Sequence, residues 1–147
     1  MNFNNKPYLG ITMGDPAGIG PEVIAKSLLN DSIFDKSIPV IIGNSNLMLN
    51  ALNLVHSDKK INSIDSLSQA VSDKFKLNVL DINNLDSNDI EQGQISSSSG
   101  KASVEWILKA GSLAVNNEIQ AIVTAPINKE ACKLAGFKDV GHMEIFQ

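Results

Sequence analysis

Apolar segments of strand length alternate along the chain with segments whose apolar residues repeat at helical spacing. The strand-like runs occupy residues 8–13, 39–43, 77–82 and 121–125, and residues 61–75 fit a strand with a short helix. Helical repeats are found at residues 21–28, 45–55, about 101–117 and 128–134. This alternation predicts an α/β fold with a mostly parallel sheet and helices on both of its faces.

The best predicted helix, at about residues 101–117, follows a polar segment that ends in four serines. We expect Ser99 and Gly100 to introduce this helix, and Trp106 to lie in the core and not to act as a stacking platform. Residues 83–99 are predicted to form a long loop. The serines fit a flexible linker better than a cluster of phosphate-facing hydroxyls.

Capping and terminating residues set the other helix boundaries. Ser45 is placed to cap the second helix, and His56 is expected at the end of that helix, where positive charge is favoured. Either Asn128 or Thr124 opens the last predicted helix, and Gly136 stops it. His56 is therefore interpreted as a surface residue and not as a ligand.

Three glycines, at positions 14, 18 and 20, lie between the first predicted strand and the first predicted helix. Pro21 fits the first position of that helix, where its missing N–H costs nothing. A glycine-rich turn that leads into a helix N-terminus offers free N–H groups to an anion. The spacing matches neither G-x-G-x-x-G nor a P-loop. From spacing alone, a tight turn without a ligand and an anion site fit about equally well.

A second segment with candidate chemistry, residues 124–129, follows the last predicted strand. Ligands of open α/β sheets bind beyond the carboxyl ends of the strands. We therefore expect residues 14–20 and 124–129 to converge on one crevice, with Asp15, Gly18 and Lys129 as candidate contacts to an anionic substrate. A lysine near a helix N-terminus is unfavourable unless an anion is present. On spacing alone, a solvated Lys129 fits slightly better.

Composition restricts the possible partners and compartment. The 147 residues, 43% hydrophobic and 19% charged, suffice for one domain with a core, and the net charge of −4 argues against a nucleic-acid surface. The 12 basic residues are all lysines, so no guanidinium is available to hold a phosphate. Cys132 is expected to be a packed thiol in a reducing compartment. We find no signal-peptide or membrane-length apolar segment, and we predict a cytoplasmic protein without membrane attachment.

Three strings of the sequence together resemble one enzyme family. GDPAGIGPE at 14–22, VTAPINKE at 123–130 and GHMEIF at 141–146 are similar, in the same order, to motifs of the 4-hydroxythreonine-4-phosphate dehydrogenase family. The resemblance covers essentially the whole chain, although members of that family are more than twice as long. Residues 1–147 thus resemble the N-terminal α/β part of a longer two-domain dehydrogenase, and we interpret the chain as truncated.

The resemblance implies the three-layer α/β/α fold of the isocitrate and isopropylmalate dehydrogenases, usually as a homodimer. It implies an oxidoreductase that uses NAD or NADP and a divalent metal such as Zn, Mg, Mn or Co. The substrate would be a phosphorylated hydroxy acid such as 4-phosphooxy-L-threonine, which is oxidised and decarboxylated in pyridoxal phosphate (vitamin B6) biosynthesis. The family's three metal-binding histidines lie downstream of the third motif, so we expect them beyond Gln147.

The resemblance also implies roles for residues of this chain. The histidine and threonine of the family's Gly-His-Thr-Glu string bind substrate, which implies that role for His142 and places Met143 at the threonine position. A methionine there removes a hydrogen bond, so either the substrate differs or another donor replaces the hydroxyl. Lys129 lies within the second motif, which favours a functional position for it. No residue is assigned a catalytic role.

Three other functions stay open. The first is a dehydrogenase of a related phosphorylated four-carbon acid, such as 4-phosphothreonate or 4-phosphoerythronate. The second is a phosphate acyltransferase, which shares the architecture without metal or nicotinamide, although the GDPAGIGPE string argues against it. The third is a non-catalytic fragment. We expect the 147 residues alone to show no dehydrogenase turnover.

Overall fold

The computed structural model describes residues 6–138 and 141–146, which form a five-stranded sheet with helices on both faces. The strands are β1 (Tyr8–Thr12), β2 (Ile38–Ile42), β3 (Lys60–Ile64), β4 (Lys76–Leu80) and β5 (Ala121–Thr124). The helices are α1 (Gly20–Ser27), α2 (Ser32–Lys36), α3 (Ser45–Leu54), α4 (Ser97–Val115), α5 (Lys129–Leu134) and α6 (His142–Ile145), with short 3₁₀ turns at Leu67–Gln69 and Ser87–Asp89. The predicted α/β fold is confirmed.

The sheet has the strand order β3-β4-β2-β1-β5, and every adjacent pair is parallel. Within this register, Gly10 of β1 lies between Val40 of β2 and Ile122 of β5. β2 is buried on both faces, as its continuous apolar sequence predicts for an inner parallel strand. The predicted parallel sheet is therefore present, with β3 and β5 as its edges.

The crossover connections place the helices in two layers. The chain passes from β1 to β2 through α1 in one direction along the sheet, and from β4 to β5 through α4 in the opposite direction. Because such crossovers are right-handed, α1 and α4 cover opposite faces. α3 packs beside α1, and α5 packs on α4. The result is a three-layer arrangement in which both faces of the sheet are covered.

The cap of α3 differs from the sequence prediction. The side chain that accepts the first-turn N–H belongs to Asn44, whose Oδ1 lies 3.0 Å from the backbone N of Leu47. Ser45 is already the first helical residue, so its predicted role as the cap is wrong. His56 follows the helix on the surface, as predicted.

Helix α4 begins earlier than predicted because a serine before it provides the cap. Ser96 Oγ accepts the N–H of Ser99 at 3.1 Å, so the remaining serines form the first helical turn. Ser99 is fully buried, which makes the flexible-linker interpretation wrong for this end of the segment. Trp106 lies in the core as predicted, with its Nε1 donating to Asn84 Oδ1 at 3.0 Å. Neither α4 nor any other helix in the described ranges is long and apolar enough to cross a membrane.

Candidate functional site

Beyond the carboxyl ends of β1 and β5, the chain leaves the sheet toward opposite faces. After β1 it enters α1, and after β5 it enters α5, which packs on α4 across the sheet from α1. Where two neighbouring strands lead to helices on opposite faces of the sheet, a crevice lies between their connections, and ligands of open α/β sheets bind there. The strand order therefore puts the glycine-rich turn and residues 125–128 on the two sides of one crevice.

Hydrogen bonds and close packing join these two segments directly. Asp15 N–H donates to Pro126 O at 2.8 Å, and Ala125 N–H donates to Thr12 O at 3.1 Å. Gly14 adopts φ +74°, and a Cβ at this position would lie only 2.9 Å from the carbonyl carbon and oxygen of Ala125. Only glycine satisfies both restrictions. The convergence expected from the sequence is therefore present in the structure.

On its side that faces the sheet, the glycine-rich turn packs directly against other protein atoms. The space that a Cβ of Gly20 would need is occupied by the carbonyl oxygen of Met13, so the helix start packs tightly on the end of β1. Ile19 precedes α1 and offers no side chain to cap its first N–H groups. Glu22 pairs with Lys26 at 2.6 Å on the same helix. The turn thus serves packing, while the helix N-terminus keeps no side-chain acceptor of its own.

Asp15 lies inside the turn, with its side chain partly buried. Its Oδ1 accepts the N–H of Ala17 at 2.9 Å, and its backbone oxygen accepts the N–H of Gly18 at 3.1 Å. Burial raises the pKa of the Asp15 carboxyl, and the hydrogen bond from Ala17 opposes this shift. A carboxylate at this position repels a phosphate that approaches it closely. Asp15 therefore suits a hydroxyl or ammonium group of a ligand better than its phosphate.

Lys129 is the first residue of α5, at the predicted place near a helix N-terminus. The cap of this helix is Asn128, one of the two predicted candidates, whose Oδ1 accepts the N–H groups of Glu130 and Ala131, both at 3.0 Å. Lys129 is exposed, and no carboxylate in the described part of the chain lies within ion-pair distance of its Nζ. Its ammonium group is therefore accessible to an anion.

His142 is the first residue of α6, and its ring contacts the backbone of Ala125. Burial lowers the pKa of the imidazole, and the nearby backbone of Ala125 opposes this shift. Nε2 is buried and has no hydrogen-bond partner among the described residues. Gly141 adopts φ −106°, which any residue can adopt. Met143 points outward with 77% of its surface exposed.

Thr12 is a candidate that the sequence reasoning missed. It is the last residue of β1 and is fully buried, yet its Oγ1 has no hydrogen-bond partner within residues 6–138 and 141–146. Buried polar atoms without partners are rare in folded proteins. The backbone oxygen of Thr12 accepts the N–H of Ala125, the residue whose backbone lies beside the ring of His142. The available signal was a threonine within an apolar strand, directly before the glycine-rich turn.

The described residues do not by themselves fit a metal ion or a dinucleotide. Across residues 6–138 and 141–146, no group of three His, Cys, Asp or Glu side chains is placed to hold a metal. Backbone atoms fill the space that a Cβ of Gly14 or Gly20 would need, and the spacing of the glycines is not that of a dinucleotide-binding G-x-G-x-x-G turn. Cys132 is buried as predicted, and burial, followed by the nearby charge of Asp15, raises the pKa of its thiol. Cys132 is thus a packed thiol and not a nucleophile.

Comparison with known proteins identifies relatives for nearly the whole chain. A relative from Clostridium botulinum is 36% identical over 97% of this chain and 43% of its own length. Its name, D-threonate 4-phosphate dehydrogenase, is itself inferred. A relative with the same inferred name from Fusobacterium nucleatum is 38% identical over 93% of this chain and 41% of its own. This chain therefore spans less than half the length of these relatives.

Solved structures give the same result. The 4-hydroxythreonine-4-phosphate dehydrogenase from Burkholderia phymatum is 37% identical and superposes with a TM-score of 0.91, over 97% of this chain and 43% of that one. The enzyme of the same name from Klebsiella pneumoniae is 33% identical, with a TM-score of 0.87. The family model of the pyridoxal phosphate biosynthetic protein PdxA matches residues 35–147. The chain belongs to the PdxA family.

Proposed function

We propose that this chain provides the substrate-binding N-terminal portion of an NAD(P)-linked, divalent-metal-dependent dehydrogenase that acts on a four-carbon hydroxy acid with a terminal phosphate. Family membership supports the reaction class. The names of the relatives support two substrates, D-threonate 4-phosphate and 4-hydroxythreonine 4-phosphate. Both carry a carboxylate, a phosphate and a hydroxyl, and they differ at carbon 2, which bears a hydroxyl in the first and an ammonium group in the second. The second belongs to vitamin B6 synthesis, and the first to a catabolic route.

The observation that carries this proposal is the position of His142 against Ala125, with Gly14 packed on the same residue. Three sequence segments that lie far apart in the chain meet at the carboxyl ends of β1 and β5. The imidazole lies beside the Ala125 backbone, and its buried Nε2, which has no partner among the described residues, can bind an oxygen of a ligand's phosphate or carboxylate. Lys129 adds an accessible positive charge for the phosphate.

In this proposal the described residues bind the substrate. The nicotinamide and the metal would be held by polypeptide that corresponds to the rest of the relatives. Asp15 offers a carboxylate to the group at carbon 2 or to the reacting hydroxyl. His142 and Lys129 bind the anionic ends of the molecule. The 147 residues alone should therefore bind substrate without turning it over.

Titration calorimetry with both phosphorylated acids tests this role directly. His142→Ala should weaken binding by about tenfold or more, which corresponds to about 1.4 kcal/mol. His56→Ala is the matched control, because His56 lies on the surface after α3, and it should leave binding unchanged. Equal binding by both variants, or no binding by the unmodified chain, would overturn the proposal. So would measurable dehydrogenase turnover by the 147 residues alone.

Two further variants address specificity and phosphate binding. Met143→Thr restores the hydroxyl of the family string and should shift the preference between the two substrates; an unchanged preference would show that position 143 does not determine specificity. Lys129→Ala should weaken binding of both substrates equally, because both carry the phosphate. Lys133→Ala, in the last turn of the same helix, is the control.

A further inference from the structure

The loop between β4 and α4, residues 81–96, runs from the end of β4 past the end of β2 to the glycine-rich turn. Hydrogen bonds fix its first half. Asn84 Oδ1 accepts from Trp106 Nε1 at 3.0 Å, which joins the loop to α4. Leu85 O accepts from Nδ2 of Asn44, the residue that caps α3, also at 3.0 Å. The start of the loop is therefore held in place, and this determines where its second half can lie.

The second half of this loop holds the glycine-rich turn at two consecutive carbonyl groups. Gln92 Nε2 donates to Pro16 O at 3.0 Å, and Gly93 N–H donates to Ala17 O at 2.7 Å. Pro16 and Ala17 are buried, whereas Gln92 and Gly93 are exposed. Residues 125–126 hold the same turn through the hydrogen bonds described above. The turn is therefore fixed by two segments that lie far apart in the sequence.

One peptide group connects Gln92 to the carboxylate of Asp15. The C=O of Pro16 and the N–H of Ala17 belong to the same planar peptide unit. Gln92 donates to that C=O at 3.0 Å, and that N–H donates to Asp15 Oδ1 at 2.9 Å. A hydrogen bond that fixes the plane of a peptide also fixes the direction of its N–H, and it polarises the peptide so that the N–H becomes a stronger donor. The orientation of the Asp15 carboxylate therefore depends on Gln92.

The other oxygen of this carboxylate, Oδ2, is the one that a ligand can use. Among the residues that the structure describes, Ala17 is the donor to the carboxyl of Asp15, and it bonds Oδ1. A Cβ at Gly18 would lie 3.0 Å from Oδ2, so the missing side chain of Gly18 leaves space beside that oxygen. The hydrogen bond to Oδ1 therefore determines where Oδ2 points.

We infer that Gln92 is a positioning residue for substrate binding, which acts through the Pro16–Ala17 peptide to direct the Asp15 carboxylate toward the group at carbon 2 of the substrate. This inference rests on the proposed function, in which Asp15 contacts the substrate. Gln92 itself does not touch the substrate. Its effect is largest for 4-hydroxythreonine 4-phosphate, because the ammonium group of that substrate makes a charge-assisted hydrogen bond with the carboxylate, whereas D-threonate 4-phosphate offers a neutral hydroxyl.

Carbon-13 titration of the Asp15 carboxyl in the 147-residue chain tests the positioning without substrate. Burial raises the pKa of Asp15, and the N–H of Ala17 opposes this shift. Gln92→Met keeps the length of the side chain and removes its donor, so the N–H should hold the carboxylate less well and the titration midpoint should move to higher pH. The thiol of Cys132, on which the charge of Asp15 acts, has a raised pKa and stays neutral in this range.

Gln94→Met is the matched control for this titration. Gln94 is exposed in the same loop and donates to Glu91 O through its backbone N–H, which methionine keeps. Its substitution should leave the midpoint of Asp15 unchanged. Equal midpoints in the two variants would overturn the inference. Thermal unfolding is measured beside the titration, and a Gln92→Met chain that lost stability with an unchanged midpoint would likewise overturn it, because Gln92 would then be structural only.

Titration calorimetry of the same variants tests the role in binding. Gln92→Met should weaken binding of 4-hydroxythreonine 4-phosphate by about three- to tenfold and that of D-threonate 4-phosphate less, whereas Gln94→Met should change neither. Unchanged binding by Gln92→Met, or an equal loss for both substrates, would overturn the inference and leave the proposed function standing. Absence of binding by the unmodified chain would instead overturn the proposed function, and this inference with it.

Discussion

Buried polar side chains are fully paired at the β3–β4 side of the sheet but not at the β1–β5 side. Asn78 of β4 donates through Nδ2 to Pro39 O and Val71 O, at 3.1 and 3.0 Å, and accepts through Oδ1 from Asn62 and Val71, both at 2.9 Å. In contrast, Thr12 Oγ1 and His142 Nε2 are buried without a partner among the described residues.

This difference distinguishes a structural region from a ligand-binding one. A polar network whose members are all satisfied stabilises the fold and leaves no atom for a ligand. A buried polar atom without a partner lowers stability, and a ligand that bonds it recovers that free energy. The same side of the sheet also ends in β5, whose outer edge pairs with no strand among the described residues. The four predictions below test this comparison, from the largest expected effect to the smallest.

Gly14→Ala should have the largest effect, because it combines an unfavourable φ with a steric clash. We expect a loss of about 3 kcal/mol or more in the free energy of unfolding, measured by urea denaturation. Gly93→Ala is the control, since Gly93 has a similar φ of +78° and no atom within 4 Å of its Cβ position. It should lose only about 1–2 kcal/mol. Equal losses would show that the contact between the two loops of the site is loose.

Asn78→Leu should destabilise the β3–β4 side by about 2–3 kcal/mol. The substitution leaves the N–H and C=O of Val71 without their buried partner. Asn62→Ala removes two hydrogen bonds, to Gln69 O and to Asn78 Oδ1, at a partly exposed position where water can replace them, and should lose about 1 kcal/mol or less. Urea denaturation of both variants provides the measurement. If Asn78→Leu were neutral, this network would not contribute to stability, and the contrast between the two sides would fail.

Thr12→Val should raise the free energy of unfolding by up to about 1 kcal/mol, because valine keeps the shape and removes an unpaired buried hydroxyl. Ser103→Ala is the opposite case. Ser103 Oγ is also buried but lies 2.9 Å from Gly14 O and 2.8 Å from Ser99 O, so its loss should lower stability by about 1 kcal/mol. Thermal unfolding of the two variants checks the signs. A destabilising Thr12→Val would mean that the hydroxyl has a partner in solution.

The pH dependence of stability should show a smaller effect at His142. Its pKa in the folded chain is lowered by burial, so the unfolded chain binds the proton at higher pH than the folded chain does. Stability should therefore fall as the pH is lowered through about 6.5, the usual histidine value. The pKa of Asp15 is raised, so its contribution to stability changes with pH in the opposite direction. Each variant is therefore compared with the unmodified chain at the same pH. His142→Asn should flatten the dependence between pH 7.5 and 5.5, and an unchanged slope would contradict this expectation.

Local patterns in the sequence were sufficient to predict much of the fold. The four apolar runs became β1, β2, β4 and β5, and the ambiguous segment contains β3 and a 3₁₀ turn. Predicted helix boundaries were wrong where two polar residues close in sequence could both cap a helix, as at Asn44 and Ser45 or at Ser96 and Ser99. Which of them accepts the N–H depends on the path of the preceding chain, and that path is not a local property.

The motifs in the sequence identified the family and nominated His142, Lys129 and the glycine-rich turn. Whether these residues could meet was decided by the strand order, because only the placement of β5 beside β1 brings residues 14 and 125 into contact. Two further features were likewise visible only in three dimensions: the Thr12 hydroxyl, which has no partner among the described residues, and the edge position of β5. Both features depend on what is absent around an atom or a strand. A sequence specifies which groups a chain carries, whereas packing determines which of them remain without partners.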